Sequence, residues 1–192
     1  VHSFDPAWEA TEDALALGFA NTASDLRYVA RWSRWMAWDG TVWREDDTLA
    51  VYDRIRAFCR EAVAFVDDKR KRIAAAKAQS IAAVERLSRS DRRIAATVEQ
   101  WDSEDWCLNT PGDIHLLKTG DTLPHYPGAY QTKVTAVDAK GDCPHWRKFL
   151  EDVTRGDAEL TGFLQRMAGY ALTGSTREHA LFFLYGTGGN GK

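Results

Sequence analysis

The clearest chemical pattern lies in the last seven residues, Gly186-Thr-Gly-Gly-Asn-Gly-Lys192, which fit the G-x-x-x-x-G-K of a phosphate-binding loop. Gly186, Gly188, Gly189 and Gly191 let the backbone curl so that successive N–H groups face a phosphate. Lys192 then brings a point charge to the terminal phosphate oxygens. The full pattern continues with a Ser or Thr that holds Mg²⁺ and opens a helix whose positive end faces the anion. Neither follows Lys192 here, so the nucleotide site is expected to be unfinished and the chain to be a fragment. Chance alone yields such a match in about one chain in twenty of this size, so context decides. Ala180-Leu-Phe-Phe-Leu-Tyr185 is an unbroken apolar run, as expected of a parallel strand buried on both faces just before such a loop. The plainer alternative is a hydrophobic strand with a Gly-rich tail.

A second chemical candidate is the basic run Lys69-Arg-Lys-Arg72, with Arg86, Arg89, Arg92 and Arg93 further on. Positions 51–100 carry 12 basic and 7 acidic residues, whereas 1–50 and 101–192 are each net acidic and the whole chain is −3. The middle third therefore holds the candidate surface for DNA phosphates, and a solvated helix face is the competing reading. Trp32, Trp35, Trp38 and Trp43 have the chemistry to stack on bases, but such a cluster more often packs as core. Cys143, His145, His115 and His125 match no common zinc spacing. Three separated cysteines without C-x-x-C argue for a reducing compartment. The acidic pairs Asp46-Asp47 and Asp67-Asp68 read as helix-start or surface charges.

The elements that must position these groups are mostly helical. Thr11 caps a short helix to Asn21 carrying Leu15 and Phe19. Trp35 to Trp38 and Thr41 to Trp43 flank Asp39-Gly40 as a hairpin with a two-residue turn. From Val51 to Val66, Val51, Tyr52, Ile55, Phe58, Cys59, Ala62, Val63 and Val66 form one helical stripe. Ser80 and Ser90 are expected to cap two helices, with Ile81, Val84 and Leu87 inward in the first and Ile94, Val98 and Trp101 in the second. Short strands are expected at Cys107–Pro111, Ile114–Leu117 and Gln131–Val137. Helices follow from Pro144 and from Asp157 to Leu172, with Trp146, Phe149, Leu160, Phe163 and Leu172 among their buried residues. No run approaches 18 apolar residues, so no membrane span is expected.

Several stretches in this order carry a family resemblance: Asp25-Leu-Arg-Tyr-Val29, Trp38-Asp-Gly40 with Trp43, and Leu108-Asn-Thr-Pro111 with Thr119-Gly120. Cys143-Pro with Trp146, Phe149-Leu150, Gly169-Tyr-Ala-Leu-Thr-Gly174 and Phe182-Phe-Leu-Tyr-Gly186 continue it. Together they resemble the domain preceding the superfamily-three helicase core in phage and plasmid primase-helicases, a family with satellite-phage and poxvirus members. Gly112-Asp113 and Leu116-Leu117 depart from the Asn-Gly and Asp-Leu usual there.

The resemblance implies an α+β, mostly helical fold. In it, residues 1–178 form a collar or oligomerisation domain, and 179–192 begin a P-loop core with its first strand. It further implies a parent that assembles as a hexameric ring and uses ATP and Mg²⁺ to unwind DNA in the cytoplasm of a bacterial host. Gly186, Gly188, Gly189, Asn190, Gly191 and Lys192 map onto the family's nucleotide loop, and Lys69, Arg70, Lys71 and Arg72 are the candidate DNA contacts. The family's Mg²⁺-binding acids, sensor and arginine finger have no counterpart in this sequence. The isolated chain is accordingly expected to hydrolyse no ATP, and a structural module without nucleotide chemistry is the alternative.

Overall fold

In a computed structural model, residues 11–186 are described, and they form a mixed α/β fold. They divide into two compact units, one of residues 11–102 with 126–132 and the other of 103–125 with 133–186.

The first unit opens with helix α1, Glu12–Thr22, started as expected by Thr11, whose hydroxyl accepts from the Ala14 amide at 3.2 Å. Strands β1 (Leu26–Val29), β2 (Arg34–Trp38) and β3 (Trp43–Glu45) form an antiparallel meander. Trp38 pairs with Trp43, so the loop has four residues, 39–42, and not the two-residue Asp-Gly turn expected. Asp39 explains the longer loop: its carboxylate accepts from the Thr41 and Val42 amides, both at 2.8 Å.

Helix α2 spans Ala50–Ala62, shorter than the stripe to Val66, and α3 (Lys69–Ala75) and α4 (Ala78–Ser88) follow. Ser80 lies within α4 and does not cap it; its hydroxyl donates to Glu12 at 2.9 Å. Leu87 is partly exposed, while Glu85 and Ser88 turn inward. That rotation places the Glu85 carboxylate 2.6 Å from Trp35 Nε1 and 2.7 Å from Arg89 Nε. The helix expected after Ser90 does not form. Ala95–Ala96, here β4, instead pairs parallel with β1, completing a sheet of order β3-β2-β1-β4. Joining an existing strand satisfies these backbone groups at once, whereas a helix here would leave the edge of β1 unpaired.

Alternation along the strands sorts side chains between two cores. Leu26, Tyr28 and Trp35 face α1, α2 and α4, packing with Leu15, Phe19, Ile55, Cys59, Val84 and Ile94. Val29, Met36, Trp43, Ala96 and Trp101 cluster on the other face, with Tyr130 against them. Ile94 and Trp101 are both buried, but they flank β4 and the turn after it and enter different cores, so no single helix face carries them.

The second unit contains the antiparallel sheet β5 (Cys107–Asn109), β6 (Ile114–Leu116) and β7 (Thr122–Leu123), then α5 (Pro144–Thr154) and α6 (Ala158–Ala171). Pro144 occupies the first turn of α5, and the Asp157 carboxylate caps α6 by accepting from Leu160 N at 3.0 Å. Residues 131–137 form no strand, although Thr135 N donates to Asn109 O at 3.0 Å. After α6 the chain turns at Gly174, whose N–H donates to Asp105 O at 2.7 Å. A Cβ on Gly174 would lie 3.1 Å from Asp105 Cα, so the approach of the two backbones needs glycine.

Two expectations fail here. Trp146, Phe149, Leu160, Phe163 and Leu172 are exposed, because α5 and α6 pack on each other and their outer apolar faces are covered only in part, the ring of Phe182 meeting Phe163 edge-on. Residues 180–185 join no strand, since no described segment pairs with them, and Leu181 and Tyr185 stand in solvent. A strand is defined by its partner; apolar composition alone cannot make one.

Candidate nucleic-acid interface

Of the phosphate-loop residues, Gly186 is the last described; Gly188, Gly189, Asn190, Gly191 and Lys192 lie outside the described residues. The basic tract is fully described. Asp68 starts α3 by accepting from the amides of Arg70 at 2.8 Å and Lys71 at 3.4 Å, so its negative charge is committed to the helix end. Lys69, Arg70 and Lys71 are exposed. Arg72 instead folds back, donating from Nη1 to the Val66 carbonyl at 2.6 Å. One of the four candidate DNA contacts is thereby occupied with holding the segment together.

Ion pairing separates two populations of cation in the first unit. Arg54 grips Asp25 through two hydrogen bonds of 2.6 and 2.8 Å. Burial would push the Asp25 carboxyl up, but the Arg54 hydrogen bonds and charge outweigh it and hold it below the ordinary range. Arg34, Arg44, Arg56, Arg89 and Arg93 pair with Glu45, Asp39, Asp53, Glu85 and Asp91. Arg27 lies over the rings of Trp43 and Tyr130, 5.2 and 5.8 Å from their centroids. Arg60, Lys69, Arg70, Lys71, Lys77, Arg86 and Arg92 are exposed, and none forms an ion pair among the described residues. All but Arg92 lie on the consecutive elements α2, α3 and α4 or their junctions, and Arg92 follows α4 by a few residues. Against them stand the exposed carboxylates of Glu61 and Asp67, so the unpaired charge of these neighbouring helices is predominantly positive, as a surface for a polyanion needs.

The tryptophans are mostly unavailable for stacking. Trp35 is buried under α4, and Trp43 is buried with Nε1 donating to Pro127 O at 2.9 Å. Trp38 leans on Trp43, and Trp32, partly exposed, leans on Trp101. Their role as core matches the plainer reading of the sequence.

The exposed aromatic that sequence reasoning missed is Phe65, at 95% exposure. The signal was present: Phe65 falls off the stripe that includes Val63 and Val66. Those two valines pack toward the core, turning the intervening Ala64 and Phe65 outward.

Other chemistry is quiet. Burial pushes the Cys59 thiol up to about 11, which leaves it protonated and unreactive at neutral pH. His125 Nε2 lies 2.8 Å from the Thr110 carbonyl. Among the described residues no group of three or more His, Cys, Asp or Glu is placed to hold a metal ion. No helix among them is long and apolar enough to cross a membrane.

Fold and surface together define a mixed α/β domain with one cationic helical region and no recognisable catalytic constellation among the described residues. The family model described as D5 N terminal like matches residues 14–155, most of the chain. The chain belongs to this family, the domain that precedes the helicase core in D5-type primase-helicases of phages and poxviruses. The matched span takes in the sheet, the basic helices and α5, and ends before α6 and the Gly-rich loop. No curated protein matches the chain.

Proposed function

We propose that this chain serves in an ATP-dependent DNA-unwinding replication protein of the phage or plasmid primase-helicase type. Residues 1–178 act as its collar, orienting the motor and contacting DNA phosphates, and 179–192 open the nucleotide-binding core. The observation that carries DNA contact is the set of exposed cations without an ion-pair partner among the described residues, Arg60, Lys69, Arg70, Lys71, Lys77 and Arg86, on α2 to α4 and their junctions. Arg54 and Arg56 on α2 and Arg89 at the end of α4 are instead paired with carboxylates. In this reading the backbone of Gly186, Gly188, Gly189, Asn190 and Gly191 faces ATP phosphates and Lys192 meets the β and γ oxygens, with Mg²⁺ supplied alongside.

Fluorescence anisotropy with labelled DNA over a range of salt tests the reading. The logarithm of affinity should fall linearly with the logarithm of salt concentration, and Ala at Lys69, Arg70 and Lys71 together should flatten that slope by about 2–3. Affinity indifferent to both salt and these substitutions would remove the proposal.

A second observation favours self-association of the same domain. Trp146, Phe149, Leu160 and Phe163 leave an apolar surface on α5 and α6, a surface suited to another copy in a ring such as a hexamer.

A further inference from the structure

We propose that the Phe65–Arg72 segment is a site selective for single-stranded nucleic acid, with Phe65 stacking on an unpaired base while Lys69, Arg70 and Lys71 hold the adjoining phosphates. The inference rests on the DNA-contact reading above and adds to it the strand type and the residue that selects it.

A lone exposed apolar side chain is ordinary on a protein surface. Phe65 is distinguished by how it is held. Val63 is buried and Val66 packs against the helix-side core, so the backbone on either side of Phe65 is anchored. The Val66 N–H donates to Val63 O at 3.1 Å, closing a turn that has Ala64 and Phe65 at its outer edge. Arg72 then ties the Val66 carbonyl to the end of α3. A fully exposed ring is therefore fixed one residue away from an atom that the basic helix itself grips. Little conformational freedom remains in the backbone for binding to remove.

The charges around the ring decide the class of partner. Asp68 is spent on the α3 amides, and Asp67 is the free carboxylate of the segment. Against it stand Lys69, Arg70 and Lys71, all exposed and unpaired. The surface therefore attracts an anion, and an aromatic ring adds the capacity to stack on a π-face. Unpaired nucleotides offer both together, whereas a duplex keeps its bases stacked inside and presents only phosphate. Arg72 acts through the backbone and is a positioning residue.

The test compares affinities of the 192-residue chain for oligo-dT, a duplex of equal length, and an abasic single strand that keeps the phosphates but lacks bases. Phe65→Ala should weaken oligo-dT binding by roughly 5- to 100-fold. Duplex and abasic affinities should stay unchanged, and Phe65→Tyr should restore oligo-dT binding. The ring is in solvent, so an unchanged circular dichroism spectrum and melting temperature are expected for both variants. Asp67→Asn should strengthen all three interactions.

If Phe65→Ala leaves oligo-dT binding intact, or lowers duplex and abasic binding equally, the stacking site is wrong while phosphate contact survives. Absence of salt-dependent binding to any of the three probes would overturn both readings. Phe65-dependent binding to anionic phospholipid vesicles, without Phe65-dependent oligo-dT binding, would assign the segment to a membrane surface and overturn the proposal.

Discussion

At the residue scale, Glu85 ties the sheet to α4. Its carboxylate is almost wholly buried, and one oxygen accepts from both Trp35 Nε1 and Arg89 Nε. Arg89 in turn reaches the Tyr28 hydroxyl at 3.2 Å and lies over its ring, while Tyr28 meets Trp35 edge-on. One acidic residue thus organises two aromatics at the junction of sheet and helix. Glu85→Ala removes the acceptor of a buried indole N–H and the partner of a guanidinium together, and should cost about 2–3 kcal/mol in urea unfolding. Glu85→Gln keeps an acceptor and should cost less. Equal losses for both variants would mean that charge alone matters. The sequence could not reveal this role, because a glutamate at an i,i+4 distance from Arg89 reads as a solvent pair. The contact that turns it inward comes from a tryptophan 50 residues away.

At the scale of elements, helix starts were legible where a side chain caps its own first turn, and obscure where the cap lies further off. Thr11 and Asp157 stand directly before α1 and α6 and announce them. Helix α2 is different: Leu49 precedes it in a left-handed conformation and offers no cap. Asp46 supplies the missing acceptors, taking hydrogen bonds from the amides of Ala50 and Val51, both at 2.9 Å. Burial would raise the Asp46 pKa, but the amides of Val51, Ala50 and Thr48 and the Thr48 hydroxyl outweigh it, and the net shift is downward from 3.8. A carboxyl with a depressed folded pKa contributes stability that is full above its unfolded value and is lost as pH falls through the folded one. Asp46→Ala should therefore cost about 1 kcal/mol at neutral pH and make the loss of stability below about pH 4 shallower. An acid limb identical to that of the unaltered protein would show that Asp46 caps nothing in solution. The strands were less legible for a related reason. Ala95–Ala96 is too short to show alternation, and its identity as β4 depends entirely on β1 lying beside it.

On the scale of the whole molecule, binary patterning identified the helices of the second unit and erred about what covers them. The apolar stripes of α5 and α6 are real, yet Trp146 is 54% and Phe163 45% exposed. Periodicity reports that a face is apolar; it carries no information on whether the cover belongs to the same chain. The first unit shows the contrasting case, since its α2 stripe closes on the sheet and on α1 and α4. The two units thus divide the chain into a closed, cation-bearing half and a half with apolar surface to spare. Under the proposed collar role, the first would meet the polyanion and the second a neighbouring copy. Sedimentation velocity provides the measurement. At tens of micromolar the chain should sediment above its 21.6 kDa monomer mass, and Trp146→Glu with Phe163→Glu should return it to monomer. Because both side chains lie on the exposed outer faces of α5 and α6, with ring contacts to Phe149 and Phe182 alone among the described residues, the double variant should keep its helical circular dichroism. A monomer at every concentration, with or without the substitutions, would leave the apolar face without a self-partner. That result would remove self-association through α5 and α6 from the proposed role.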